Sequence, residues 1–199
     1  MVEINAQMIK KLRTRTHAGV MDCKEALQEA SGDLEKAVDF LRKKGLATAL
    51  KRAGRETSEG LIHAYIHTGA KIGVLVEVNC ETDFVAKTDE FGDFVKNLAM
   101  HIAATKPLGI RREDVPEELV RREEEIYRAQ AAETGKPENI LDKIVQGKME
   151  KFYKESCLLE QQYVRNPDIT IQDLVHETVA KAGESMTVRR FVRYQLGGE

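Results

Sequence analysis

Proline is scarce in this 199-residue sequence, with 4 in all, so helices can run long and loops should be few. The three cysteines, Cys23, Cys80 and Cys157, stand far apart, and without a CxxC or CxH spacing they build neither a zinc site nor a redox pair. They read as free thiols of a reducing cytosol. No 18-residue apolar run occurs, and Met1 to Asn5 lack the charged-then-apolar order of a secretion signal. The expectation is a soluble, cytoplasmic protein with no membrane attachment. Neither charge is in excess, since 31 Lys+Arg against 33 Asp+Glu leave a formal net charge of −2. Attachment to nucleic acid or an anionic bilayer by bulk charge is thereby excluded, and any basic contact must be regional.

Catalytic equipment is missing too. The sequence has no Walker loop, GxGxxG, HExxH or GxSxG elbow, and none of its five histidines forms a local motif with a cysteine. His63 and His67 lie four apart on a predicted strand, about 13 Å along one face, too far for a single metal. No catalytic residue, metal ligand or cofactor is assigned, and the chain is not expected to be an enzyme.

What is present is charge and helical period. Charged residues make up 32% of the chain, above the roughly 25% of ordinary domains, which points to solvated helices. Ile4, Met8, Ile9 and Leu12 share one face of an amphipathic helix that His17-Ala18-Gly19 breaks. Asp22 with Glu25 is a capping-box pattern opening a second helix, through Ala26, Leu27 and Ala30 to Ser31-Gly32. Asp33 opens a third, carrying Leu34, Ala37, Val38 and Leu41 and stopping before Gly45. Residues 1–45 thus form a three-helix module that buries little core. Val20 and Met21, beside the cap, either close that core or make an exposed anchor for a partner.

Residues 46–60 read as a basic linker helix. The stretch 42–55 holds Arg42, Lys43, Lys44, Lys51, Arg52 and Arg55 and no acid. No aromatic is interleaved for base stacking, which favours a solvated face or an acidic protein partner over a phosphate-contacting element. A nucleic-acid or ribosome-associated module built on this stretch is the runner-up reading, and its RNA affinity would fall steeply with salt.

Residues 61–199 read as an α+β core. Leu61–His67 and Ile72–Asn79 around Thr68-Gly69-Ala70-Lys71 are a hairpin, with Ile72, Val74, Val76 and Val78 on one face. Phe91, Phe94, Val95, Leu98, Ala99 and Ile102 stripe a long core helix that ends before Pro107. Residues 116–154 form a helical hairpin broken at Gly135 and Pro137, its second helix striped by Ile140, Leu141, Ile144, Val145, Met149, Phe152 and Tyr153. Leu158 to Val164 is expected to be extended and turning. Thr170 and Asp173 cap a helix ending at Gly183, and Met186, Val188, Val192, Tyr194 and Leu196 alternate along a final strand that joins the hairpin in a small antiparallel sheet.

One connection stands apart, Asn79-Cys80-Glu81-Thr82-Asp83-Phe84-Val85-Ala86-Lys87, between the apolar strand and the long helix. Phe84 is either tucked under that helix, which periodicity alone favours, or offered to a partner. Asp83 either caps a helical turn or meets a partner's cation or amide groups.

The segment VEVNCETDFVAK resembles a signature of the bacterial translation elongation factor Ts family. Other stretches agree in order: LRTRTHAGVMDCKEALQEASGDLEKAVDFLRKKG resembles its ubiquitin-associated-like amino-terminal module, HIAATKP its core helix ending, and GKPENILDKIVQGKMEKFYKESCLLEQQYV its later signature. Members often read Thr-Gly-Ala-Gly where this chain has Thr16-His17-Ala18-Gly19. With one hairpin signature and one later helical hairpin, the chain resembles the short form of the family.

The resemblance implies a guanine-nucleotide exchange factor that binds elongation factor Tu in its GDP-bound or nucleotide-free form. Thr82, Asp83, Phe84 and Val85 would enter the partner's nucleotide-binding domain and dislocate its magnesium ion, with Phe84 as apolar wedge and Asp83 on the displaced helix. Arg13, Val20 and Met21 would dock on the same domain. A single core implies a homodimer, with the final strand as candidate edge, and hence a heterotetramer with two partner chains. No cofactor, direct nucleic-acid contact or membrane contact is implied.

Overall fold

The computed structural model describes residues 4–16, 18–133, 135 and 137–198. His17, at the expected break after the first helix, lies outside the described residues. The fold is α+β, as read from the sequence. The chain divides into two compact units, one of Met1–Ile62, Glu77–Val95 and Asp173–Arg189, the other of His63–Val76, Lys96–Gln172 and Arg190–Glu199.

In the first unit, α1 (Ala6–Thr16), α2 (Val20–Glu29) and the start of α3 (Leu34–Arg52) close a small core of Leu12, Cys23, Ala26, Leu27, Ala30 and Ala37. Asp33 caps α3 as expected, its carboxylate accepting from the Glu35 and Lys36 N–H groups. The second expected cap is corrected. Gly19 is the N-cap of α2 with no side-chain bond, so the helix starts before Asp22. Asp22 and Glu25 instead both accept from Lys44 Nζ on α3.

The third helix also does not stop before Gly45. It continues to Arg52, and the expected linker helix is its second half, with residues 53–58 non-helical. Gly45 is buried facing Ala180 and the His176 carbonyl, and Ala49 is buried one turn on. Packing along this face outweighs the roughly 1 kcal/mol that a helical glycine costs against alanine.

The strands β1 (Glu59–Ile66), β2 (Ile72–Cys80) and β5 (Met186–Gln195) form an antiparallel sheet in the order β1-β2-β5. Val74, Val76, Val78 and Cys80 are buried along β2 while Leu75 is exposed, the alternation the sequence predicts. After the turn α4 (Asp83–Ala86) comes α5 (Asp89–Thr105), and its whole predicted stripe from Phe91 to Ile102 is buried. Each such side chain contributes roughly 1.5–3 kcal/mol when large.

In the second unit, α6 (Glu117–Ala132) and α7 (Glu138–Ser156) are the expected helical hairpin. Of the α7 stripe only Val145 is fully buried, and Ile140 is exposed, because a hairpin arm meets one neighbour along much of its length. Arg112 stacks on Tyr153 at 4.7 Å and bonds both Glu150 and Glu160. The stretch expected to be extended is a 3-10 turn at Leu158–Glu160 followed by β3 (Gln162–Tyr163), which pairs antiparallel with β4 (Asn166–Thr170). The helix α8 (Ile171–Ala182) then follows Thr170 and ends at Gly183.

His101 is fully buried in α5. Its Nε2–H donates to Gln161 Oε1 at 2.9 Å and its Nδ1 accepts from the Val164 N–H at 3.4 Å, so a second ring proton has no acceptor. Burial holds its pKa below the usual histidine value, against the Gln161 bond, and burial does the same to His176. The unfolded chain therefore takes up these protons first, and stability falls as pH drops below about 6.5, at most about 1.4 kcal/mol per pH unit per histidine. Glu81 and Glu150, held below the carboxylate range by hydrogen bonds, add their loss only nearer pH 4. Thermal melts from pH 7.5 to 5.0 should show a falling midpoint that His101→Gln makes less steep. A flat profile in the wild type would refute this.

Candidate functional site

The buried valines of β2 fix where the chain leaves the sheet. Thr82 is extended at φ −129° and ψ 156°, and the single turn α4 follows. Thr82 is the N-cap: its Oγ1 accepts from the Val85 N–H at 3.4 Å, and its carbonyl accepts from Ala86 N–H at 3.2 Å and Cys80 Sγ–H at 3.2 Å. The capping role open to Asp83 thus falls to its neighbour. Asp83 pairs instead with Lys87 at 2.6 Å, which holds its carboxyl below the usual range. Both partners are largely exposed, so the pair adds little to stability.

Phe84 is 81% exposed. The tucked position that periodicity favours is therefore corrected. One helical turn has room to bury one side, and Val85 takes it, half-buried; Phe84, rotated about 100° away, faces outward. The four residues Thr82 to Val85 are brought together as one projecting turn.

The turn is held from a second connection, Gly183-Glu184-Ser185 between α8 and β5. The two oxygens of Glu184 accept from Thr82 Oγ1–H at 2.6 Å and Thr82 N–H at 3.0 Å. In return the Ser185 N–H donates to Glu81 Oε1 at 2.6 Å, with Arg55 at 3.3 Å and Arg52 at 3.5 Å beside the same carboxylate. The Ser185 N–H and then Arg55 hold the Glu81 carboxyl below its usual range. Neither Glu81 nor Glu184 was marked by any spacing, because the bonds that join the two connections, Thr82 to Glu184 and Ser185 to Glu81, span over 100 residues.

The docking candidates lie in the three-helix module. Arg13 is exposed on α1, and Val20 (51%) and Met21 (73%) are exposed in the first turn of α2. The core closes without these two, since Leu12, Cys23 and Leu27 fill it, so the core-closing alternative is set aside. Part of the basic stretch is spent internally, Lys44 on α2 and Arg52 and Arg55 on Glu81, while Leu46 and Leu50 are exposed. Among the described residues, no three His, Cys, Asp or Glu side chains converge as a metal set. His67 faces Tyr65 Oη at 3.0 Å. All three cysteines are free and buried, and burial raises the Cys157 pKa to about 11. No described helix is long and apolar enough to cross a membrane.

Comparison with known proteins adds identity to this geometry. The pattern of the family described as Elongation factor TS matches residues 3–198. Among curated relatives, the Elongation factor Ts of Desulfosudis oleivorans is 66% identical over 194 residues, covering 98% of both chains. That of Syntrophobacter fumaroxidans is 62% identical over 198 residues, covering 100% of this chain and 99% of its own. That of Geobacter sulfurreducens is 60% identical over 98% of this chain and 91% of its own. The chain belongs to the elongation factor Ts family.

Proposed function

We propose that this chain is a guanine-nucleotide exchange factor for elongation factor Tu, working in the cytoplasm during translation elongation by wedging Phe84 into the partner's nucleotide-binding domain. The observation that carries the reading is a fully projecting aromatic ring on a turn held by charge-assisted bonds at its base. Phe84 displaces apolar packing beside the nucleotide, Asp83 meets the displaced helix, and the partner's magnesium ion is dislocated. That ion would offset the charge of the nucleotide's phosphate oxygens, and without it that charge is less compensated and GDP is held less tightly. Residues 1–45 dock through Arg13, Val20 and Met21, and the helices of 61–199 grip a second partner domain.

Linkage sets the cycle. Each tenfold loss in GDP affinity takes about 1.4 kcal/mol from the factor's own binding, and rebinding nucleotide expels the factor. No bond is made or broken by the chain and no cofactor is used.

A homodimer, and from it a heterotetramer with two partner chains, fits the apolar residues left open near the end of the chain. Val192, Tyr194 and Leu196 are exposed, and β5 stands last in its sheet order. Light scattering should return twice 22.4 kDa, and a strictly monomeric active factor would remove this assignment.

The exchange reading is tested by adding the chain in substoichiometric amounts to elongation factor Tu loaded with fluorescent GDP. Release should accelerate by orders of magnitude, and an unchanged rate would overturn the proposal. In the same assay Val20→Ser with Met21→Ser should raise the half-saturating concentration about tenfold, as expected for two interface anchors. An unchanged half-saturation would take them out of the docking surface.

A further inference from the structure

We infer that Glu184 is a positioning residue for the exchange turn, acting on Phe84 through Thr82 from a connection more than 100 residues away. The inference rests on the wedge reading of Phe84. A ring that pushes into a partner needs something to push against, and Phe84 has almost none of its own, being 81% exposed on a four-residue helical turn. One isolated turn is far too short to hold its shape in water. Its support must come from its base.

That base is Thr82, and Glu184 commands it. The carboxylate takes both the backbone N–H and the hydroxyl proton of Thr82, at 3.0 and 2.6 Å. With its proton committed there, Oγ1 presents a lone pair to the Val85 N–H, so the N-cap bond is oriented by Glu184. Glu184 is fixed in turn. Its neighbour Ser185 donates to Glu81, the residue before Thr82, and Gly183 closes α8 by donating to the Val179 carbonyl at 2.9 Å. The two connections thus hold each other by exchanged bonds, each from a backbone N–H of one to a carboxylate of the other, and all these residues belong to one compact unit. The turn is braced against the 12-residue helix α8. Docking residues lie elsewhere, so loosening this brace lowers the rate at saturation more than it raises the half-saturating concentration.

The test is a double-mutant cycle on fluorescent-GDP release from elongation factor Tu, using the full chain. Glu184→Ala should lower the saturating rate about tenfold with a half-saturation within about twofold of wild type. In a Phe84→Ala background it should lower the rate no further, because a brace for a ring has no effect once the ring is gone. Thr82→Val should match Glu184→Ala, and Thr82→Ser, which keeps the hydroxyl that Glu184 takes, should lose clearly less; the Thr82 pair carries the test should Glu184→Ala fold poorly. A wild-type rate in Glu184→Ala alongside a slow Phe84→Ala would overturn the brace while leaving the wedge. So would an equal loss from Glu184→Ala in both backgrounds. A wild-type rate in Phe84→Ala would overturn both.

Discussion

Phe84→Ala slows GDP release from elongation factor Tu by about a hundredfold while leaving the chain's own melting midpoint within about 2 °C of wild type. The two halves of this expectation have separate grounds. Because the ring is 81% exposed, it contributes little to the fold, and surface substitutions stay within about 0.5 kcal/mol. For a chain of about this length that is about 2 °C at most. On the proposed wedge reading the same ring becomes buried in the complex, and an aromatic anchor of this kind is worth about 2–3 kcal/mol on truncation, which converts to a factor near one hundred. Phe84→Leu should fall between, since it keeps apolar volume and loses the flat ring. Stopped-flow release of fluorescent GDP beside a thermal melt checks both halves. Wild-type release in Phe84→Ala would remove the wedge assignment, and a large fall in melting would mean the ring serves the fold.

How far the sequence was legible follows from the range of the interactions. The stripe from Phe91 to Ile102 and the alternation from Val74 to Val78 were readable because one helix or strand repeats its burial every few residues. Asp33 was readable as a cap because the N–H groups that donate to it lie two and three residues on. Gly45 misled, since its local stop signal is overridden by packing against residues near 180. The pairing of β3 with β4 escaped because strands of two and five residues, one containing Pro167, carry too little pattern. At the site, the turn itself was visible as a connection and the family likeness named it. Whether Phe84 faced in or out was not visible, because one aromatic satisfies either arrangement. Glu184 was not visible at all, since nothing near it in sequence records a bond to Thr82.

Gly60→Ala is expected to have the largest effect on the fold. Gly60 lies in β1 at φ +150°, where a Cβ would stand 2.3 Å from the Val78 carbonyl oxygen and 2.7 Å from Asn79 Cα. Both obstacles are backbone, so no side chain can rotate out of the way. Relief requires β1 and β2 to move apart, and Val78, at the point of collision, is fully buried. Strained backbone alone costs about 1–3 kcal/mol, and the steric conflict adds to it, for a total of about 3 kcal/mol or more. The melting midpoint should fall by about 6–12 °C. Gly147→Ala is the control of opposite sign, because Gly147 lies inside α7 with nothing within 4 Å of its would-be Cβ, and alanine there should stabilise by up to about 1 kcal/mol. The loss at Gly60 should also reach function. Asn79, whose Cα the new methyl meets, donates to the Thr57 carbonyl at 3.1 Å and stands two residues before Glu81. A displacement there moves the base of the projecting turn, so the surviving folded Gly60→Ala should release GDP from its partner more slowly than wild type. Melts and exchange rates on one preparation decide the matter, and a variant with wild-type melting would show that the two strands can part at this point without cost.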